Sequence, residues 1–222
     1  MNERIYFDSD ALELTTSVLS CSAREDGRYQ VVLAATLFHP QGGGQPSDSG
    51  TIDSVNMLQA LQSDDGIIHI TSGPLDLGTV TLKVDGAARE LHARYHSAGH
   101  LIACAGEKYG WLGLKGNHRP GESRVVFDPT DHARPVTEEM LQADVAALVA
   151  QNLPRNVDVS QGRRVVTWGQ LPPTACGGTH VRSTGEVGEI HIVRVKQKKG
   201  QLSVQYELDA DEALEPAGLE TC

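Results

Sequence analysis

The 222-residue sequence predicts an α+β fold, in which a small β-barrel-like domain at 1–85 precedes an α+β domain at 86–222. Two observations lead to this division. Before residue 85, short segments rich in Val, Leu, Ile and Thr alternate with turn residues, which is typical of a small barrel or sandwich. After residue 85, apolar residues recur at steps of three and four, which is typical of amphipathic helices.

The first domain is predicted to consist of strands only. Its strand candidates span 4–7, 12–20, 28–36, 51–62, 67–70 and 79–84. Between the third and fourth of these runs the sequence HPQGGGQP at 39–46. Its glycines and prolines predict a loop, because they interrupt regular structure and favour turns.

The second domain is predicted to combine two helices with further strands. One helix spans 87–109, and another spans 138–152 with Thr137 as its N-cap. Strands are predicted at 124–127, 157–160 and 164–168. A hairpin is predicted at 188–208, with its turn at Lys199-Gly200.

The composition predicts a soluble cytoplasmic protein without a membrane span. Hydrophobic residues make up 39% of the chain, and no apolar run approaches the length of a transmembrane helix. The N-terminal residues show no signal-peptide pattern. Without an export signal, the cysteines are predicted to be reduced thiols; they are Cys21, Cys104, Cys176 and Cys222.

The net charge of −10 opposes non-specific binding of nucleic acid by the overall field. A local basic patch is still compatible with this charge. The candidates lie in two groups along the sequence, namely Arg89, Arg94, Lys108, Lys115, Arg119 and Arg124 in the middle, and Lys196, Lys198 and Lys199 near the end.

Two separate motifs predict one metal site. His96 and His100 are four residues apart on the predicted helix, so they project from one face. Cys176 and His180 have the same spacing, with two glycines that permit a tight turn through positive backbone angles. Three imidazoles and a thiolate suit Zn²⁺ better than Mg²⁺ or Ca²⁺. The remaining histidines, His39, His69, His92, His118, His132 and His191, are predicted to lie on the surface or to support the ligands.

The helical motif differs from that of zinc proteases, which place a glutamate directly after the first histidine. Here that position is Ser97, so peptide hydrolysis by that mechanism is disfavoured. Four protein ligands are typical of structural zinc, whereas a catalytic zinc keeps a position open. The sequence leaves both possibilities.

These motifs resemble the alanyl-tRNA editing proteins, the AlaX family, and the editing domain of alanyl-tRNA synthetase. The first metal motif reads RYHSAGHL at 94–101, and the second reads ACGGTHV at 175–181 with STGEVG at 183–188. The segment FHPQGGGQPSD at 38–48 resembles the glycine-rich segment of the longer members. Some members carry a larger residue at the position of Gly99, and the glycine here is expected to enlarge the pocket.

The resemblance implies an N-terminal β-barrel-like domain and an editing domain whose fold is shared with threonyl-tRNA synthetase. It implies hydrolysis of the aminoacyl ester of tRNA(Ala) mischarged with serine, and of tRNA(Ala) mischarged with glycine. One Zn²⁺ per chain would be held by His96, His100, Cys176 and His180. It would orient the aminoacyl end or hold a water, whose pKa it would lower toward about 7.

Further site residues are assigned from these motifs. Gln45, Gly43, Gly44 and Cys176 are the catalytic candidates, with glycine N–H groups stabilising the oxyanion. Gln45 and Thr36 are the candidates for recognising a serine hydroxyl. The substrate-binding candidates are Thr36, Arg94, Lys115 and Arg119.

Three other functions remain open from the sequence. The chain could edit another tRNA, such as tRNA(Thr) charged with serine. It could be a structural zinc module that binds RNA or protein without catalysis. It could be a zinc esterase unrelated to tRNA. A monomer and a homodimer are both compatible with the sequence.

Overall fold

A computed structural model describes residues 2–209 of the chain. In this range fifteen strands accompany two α-helices, as the α+β prediction requires. The predicted second domain extends to residue 222, so its last residues, including Cys222, lie outside the described residues.

Six strands of the N-terminal half close into a barrel in the order β2-β3-β7-β6-β5-β8. The strands of this half are β1 Glu3–Arg4, β2 Glu13–Ala23, β3 Tyr29–Leu33, β4 Ala35–Thr36, β5 Gly50–Ile52, β6 Val55–Ser63, β7 Gly66–Thr71 and β8 Gly78–Val84. Barrel closure follows from β2, which pairs antiparallel with both β3 and β8. Alternate residues such as Val31 and Leu33 are buried inside, as a half-buried strand requires.

Three predicted strands of this half differ in the structure. The strand predicted at 28–36 is divided into β3 and β4. Ile5–Phe7 form a 3₁₀ turn, in which the carbonyl of Ile5 accepts the N–H groups of Asp8 and Ser9. The single strand predicted at 51–62 is divided into β5 and β6 by a turn. Asp53 lies at positive φ (49°) in that turn, and its carboxylate accepts the N–H of Thr81.

Helix α1 spans Gly86–Glu107 and is the longest element of the chain. It begins after Asp85, whose carboxylate accepts the N–H of Ala88. Its apolar face, which includes Ala98 and Ile102, belongs to the buried core of the C-terminal half. Of the two motif histidines on α1, His96 is buried and His100 is half-buried. The helix therefore presents both to the interior.

Helix α2 and one four-stranded sheet complete that core. Helix α2 spans Glu138–Ala150, and Thr137 caps it as predicted by accepting the N–H of Met140. The sheet has the order β14-β15-β10-β9. Its strands are β9 Trp111–Asn117, β10 Arg124–Pro129, β14 Ile190–Lys198 and β15 Gln201–Leu208. The predicted hairpin is confirmed, with Lys199 and Gly200 both at positive φ in the turn.

A second small sheet precedes the cysteine motif. It has the order β11-β12-β13, with β11 Arg155–Ser160, β12 Arg163–Trp168 and β13 Thr174–Ala175. Strands β9 and β13 were not predicted from the sequence. Strand β9 contains Gly113 and Gly116, which weaken the strand signal.

Two buried apolar clusters lie on either side of residue 85. One comprises barrel residues from Tyr6 to Val84, and the other comprises residues from Tyr95 to Leu208. The domain boundary at 85 stays a prediction, with which this distribution agrees. No helix within residues 2–209 is long and apolar enough to cross a membrane.

Candidate metal centre

The four predicted ligands meet in one place. His96 and His100 come from α1, and Cys176 and His180 belong to the turn after β13. Their potential donor atoms all lie within 4.8 Å of one another. The Sγ of Cys176 is 3.5 Å from Nε2 of His96 and 3.3 Å from Nε2 of His180. These side chains could therefore hold one metal ion.

The separations fit zinc. With bonds of about 2.3 Å to sulfur and about 2.0 Å to nitrogen, a tetrahedral zinc ion separates the two donors by about 3.5 Å. The two sulfur-to-nitrogen distances, 3.5 and 3.3 Å, agree with that value. The donor set is also nitrogen and sulfur, whereas Mg²⁺ and Ca²⁺ require oxygen.

The other nitrogens of two imidazoles are held by neighbouring side chains. Nδ1 of His96 lies 2.7 Å from Oε1 of Gln45, and Nδ1 of His180 lies 3.2 Å from Oγ of Ser97. With a proton on each Nδ1, both rings direct the lone pair of Nε2 toward Cys176. Ser97 thus supports the candidate ligand His180. Zinc proteases carry a glutamate at the position of Ser97.

Gln45 makes three hydrogen bonds at the centre and is 1% exposed. Its Oε1 accepts from His96 and from the N–H of Thr179, and its Nε2 donates to Oγ1 of Thr179. The side chain from the glycine-rich loop therefore fixes the tautomer of a ligand. Its contact with a substrate hydroxyl stays a prediction.

The two glycines of the cysteine motif have different roles. Neither has a positive φ, so the prediction that both supply left-handed backbone is wrong. A Cβ on Gly178 would lie 2.1 Å from Cε1 of His96 and 2.8 Å from Oε1 of Gln45. A Cβ on Gly177 would meet only the ring of Phe7, at 3.9 Å. Close approach to His96 therefore requires glycine at 178 but not at 177.

Two arginines hold the backbone of the turn that carries Cys176 and His180. Nη1 of Arg164 donates to the carbonyls of Cys176 at 2.7 Å and Gly178 at 3.0 Å. Nη1 of Arg155 donates to the carbonyl of His180. Sequence reasoning missed both residues, because a basic residue on a strand carries no signal that it binds a distant carbonyl.

His118 is a further histidine at the centre. Its ring stacks on His96 with centroids 4.6 Å apart and planes at 22°, and its Nδ1 lies 2.7 Å from Oη of Tyr206. A Cβ on Gly99 would lie 2.3 Å from Cε1 of His118. Gly99 therefore makes room for His118, which corrects the expectation that it enlarges the substrate pocket.

Burial sets the protonation of the donors. It lowers the pKa of His100 to about 4 and holds the pKa values of His96 and His180 well below the usual range. Burial raises the pKa of the Cys176 thiol, while the N–H of Gly178 and the charge of Arg164 oppose it. The imidazoles are therefore neutral at pH 7, which is the form that binds metal.

The glycine-rich loop turns sharply beside this centre. Gly42 and Gln45 exchange two backbone hydrogen bonds, and Gly43 and Gly44 between them have φ of 57° and 80°. This is the pattern of a two-residue type I′ turn. The carbonyl of Gly44 accepts the N–H of His118 at 2.8 Å. Within residues 2–209, no hydrogen bond engages the N–H of Gly43 or Gly44.

A cavity of about 180 Å³ separates the glycine-rich loop from the cysteine turn. Of the four candidate ligands, Cys176 lines this cavity and is half-buried, so the cavity reaches the centre at Cys176. The residues that line the cavity are Arg4, Tyr6, His39, Pro40, Gln41, Gly42, Gly43, Gln62, Cys176, Gly177 and Gly178.

Two predicted substrate-binding residues are buried and make contacts inside the protein. Thr36 is fully buried in the barrel half, where its hydroxyl lies 2.8 Å from Nε2 of His69 and accepts the N–H of Phe38. Arg94 is 6% exposed, and its Nε donates to the carbonyl of Val187. Their roles in substrate binding stay predictions.

The other two predicted substrate-binding residues face solvent. Lys115 is exposed on β9, and Arg119 is exposed beside the glycine-rich loop, where it lines a surface cavity with Gly42 and Gly44. Their roles stay predictions.

The family model for the threonyl and alanyl tRNA synthetase second additional domain matches residues 164–203. This span contains two of the four candidate ligands, Cys176 and His180, and begins at Arg164.

Curated relatives cover most of the chain. The alanyl-tRNA editing protein Aarsd1 of Bos taurus is 32% identical over 86% of this chain and 51% of that protein. The alanyl-tRNA editing protein AlaX-L of Pyrococcus horikoshii is 28% identical over 91% of this chain and 56% of that protein. The alanine–tRNA ligase of Methanobrevibacter smithii is 30% identical over 86% of this chain and 25% of that protein. The chain thus spans about half the length of the editing proteins that it matches.

Proposed function

We propose that the chain, which is similar to alanyl-tRNA editing proteins, is an AlaX-type protein that deacylates mischarged tRNA(Ala). The proposed substrates carry serine or glycine on the terminal ribose. Water adds to the ester carbonyl, the bond between that carbon and the ribose oxygen breaks, and the ribose oxygen takes a proton. The products are the free amino acid and uncharged tRNA.

The observation that carries the proposal is the convergence of His96, His100, Cys176 and His180 beside the glycine-rich loop. These residues would hold one zinc ion per chain. When bound, zinc would supply the positive charge that orients the aminoacyl end and stabilises charge on its carbonyl oxygen.

The chain's own residues would prepare that site. Gln45 and Ser97 orient two of the imidazoles, and Arg155 and Arg164 hold the turn. The unengaged N–H groups of Gly43 and Gly44 are proposed to stabilise the oxyanion. The cavity between the loop and Cys176 is proposed to receive the amino acid.

A structural zinc module is the second candidate function, since four protein donors complete a tetrahedral site. In that case removal of zinc would lower the stability of the protein. The protein would deacylate no tRNA, with or without zinc. The two candidates therefore differ in a direct assay.

The assay is deacylation of four charged tRNAs by the purified chain, with and without a zinc chelator. They are tRNA(Ala) charged with serine, glycine or alanine, and tRNA(Thr) charged with serine. We expect hydrolysis of the first two, and a loss of about 10²-fold or more with chelator, with Cys176→Ala and with His100→Ala. Cys104→Ala, a half-buried cysteine outside the cluster, is the control.

Full activity of Cys176→Ala and His100→Ala would remove the metal from the mechanism. Hydrolysis of the threonine tRNA alone would assign the chain to another editing function. Zinc binding without hydrolysis of any charged tRNA would favour the structural module.

A further inference from the structure

One face of the four-stranded sheet gathers basic residues from three distant segments of the sequence. In one row across the sheet, Arg194 lies opposite Gln205, and Gln205 lies opposite Arg124. In the next row, Lys196 lies opposite Ser203 and Ser203 lies opposite Val126. Val126 in turn lies opposite Lys115. Side chains that lie opposite one another on neighbouring strands share a face of the sheet.

This face is turned to solvent. The opposite face presents Val125, Phe127 and Val204, which are buried in the core with the two helices. We call the solvent side the basic sheet face. It is defined by five exposed cations, Lys115, Arg124, Arg194, Lys196 and Lys198.

The basic sheet face carries more positive than negative charge. Within residues 2–209, none of its five cations takes part in an ion pair. Of the acids on the same strands, Asp128 accepts a hydrogen bond from Gln201, and Glu207 lies opposite His191, away from the hairpin turn. Five unpaired positive charges on one face of a chain with net charge −10 form a strongly asymmetric field.

The basic sheet face is continuous with the metal centre through β9. Lys115 precedes His118 by three residues, so their Cα atoms are at most about 11 Å apart. His118 stacks on His96 and donates its N–H to the glycine-rich loop. A polyanion that contacts Lys115 would therefore lie close to His118 and to the candidate site.

We propose that the basic sheet face binds the phosphate backbone of the tRNA acceptor stem and so delivers the charged end to the metal centre. The inference rests on the proposed function for the identity of the polyanion. Cations at regular intervals on the flat face of a sheet suit a phosphate backbone, which is recognised by charge and not by base sequence.

The test measures binding of uncharged tRNA(Ala) by filter binding between about 50 and about 200 mM salt. One variant combines Arg124→Gln, Lys196→Gln and Lys198→Gln. The control combines Arg24→Gln, Arg28→Gln and Lys83→Gln, which removes the same formal charge from exposed positions of the barrel half. Bound zinc is measured in both variants to verify that the metal centre is intact.

We expect the face variant to bind at least about tenfold more weakly at the lowest salt, with a salt slope smaller by about three. The control should keep the wild-type slope. Equal binding by the two variants would overturn the inference, as would an absence of tRNA binding by the wild type.

A vesicle arm separates RNA from a membrane surface. Wild type and both variants are mixed with phosphatidylcholine vesicles that contain phosphatidylserine. Loss of vesicle binding by the face variant, with tRNA binding unchanged, would overturn the assignment to RNA. Because uncharged tRNA needs no hydrolysis, the binding result is independent of whether the deacylation assay succeeds.

Discussion

Gly178 shows how much of the centre depends on single atoms. The ring of His96 occupies the space that a β-carbon at position 178 would need, whereas position 177 is open. A β-carbon at position 99 would likewise collide with His118, which stacks on the ring of His96. His96 is therefore enclosed by backbone on one side and by an imidazole on the other.

We expect Gly178→Ala to displace His96 and to weaken zinc binding by about tenfold or more, the size of effect seen when support of a ligand is lost. Gly177→Ala is the matched control and should bind zinc like the wild type. Zinc affinity is measured by competition with a chromophoric chelator. Equal affinity of the two variants would contradict the close-approach explanation.

At this scale the sequence predicted the four clustered side chains but not the residues that support them. The ligand pairs were predictable because four-residue spacing is a local property of a helix or a turn. Gln45 supports His96 from 51 residues away, and Arg155 reaches a carbonyl 25 residues away. Nothing local distinguishes these side chains from other polar residues, so their contacts appear only in the folded chain.

The cysteine turn has no regular secondary structure and is held by side chains from β11 and β12. Arg164 on β12 donates to two of its carbonyls and also to the carbonyl of Phe7, over whose ring its guanidinium lies. A planar guanidinium can donate in these separate directions at once, whereas a lysine ammonium is a single point. Arg164 therefore links the N-terminal 3₁₀ turn to the ligand turn.

Arg164→Lys should reduce zinc affinity by about tenfold or more, because the turn loses its shared donor. Arg163→Lys, an exposed neighbour on the same strand, should leave affinity unchanged. Thermal unfolding of the zinc-free proteins is the companion measurement. A fall in unfolding temperature with unaltered zinc affinity would show that Arg164 serves only the fold.

The elements themselves were predicted unevenly. Helix α2, its Thr137 cap and the β14–β15 hairpin followed from period, capping and turn residues. The segment Ile5–Phe7 has strand-forming residues but forms a 3₁₀ turn, because tertiary contacts outweigh the propensity of three residues. Strand β13 has two residues, which is too short for any periodicity to detect.

For the whole molecule, the candidate site lies where the barrel half meets the α+β half. Gln45 and the glycine-rich loop come from one side, and α1 and the cysteine turn come from the other. The two apolar clusters are separate, so contacts such as Asp48 with Arg89 connect the halves through buried polar groups. All four candidate ligands belong to the α+β half, so docking of the barrel half adds Gln45 and the glycine-rich loop to the centre.

Two buried histidines outside the four-residue cluster, His39 and His69, make the stability of the whole chain depend on pH. Burial lowers the pKa of His39 and of His69 to about 4. In the unfolded chain these groups titrate near 6.5, so between pH 6.5 and 4 the unfolded state binds more protons. The free energy of unfolding therefore falls as the pH falls through this window, by up to about 1.4 kcal/mol per pH unit for each histidine.

His69→Gln should make this decline shallower, by up to about 1.4 kcal/mol per pH unit, between pH 6 and about 4.5. Urea unfolding of the zinc-free protein at a series of pH values measures the slope, which is separate from any loss of stability at pH 7. His132→Gln, which removes a histidine at an exposed position, is the matched control. If both variants show the wild-type slope, His69 is not held neutral by the fold, and the buried Thr36–His69 contact has no part in acid unfolding.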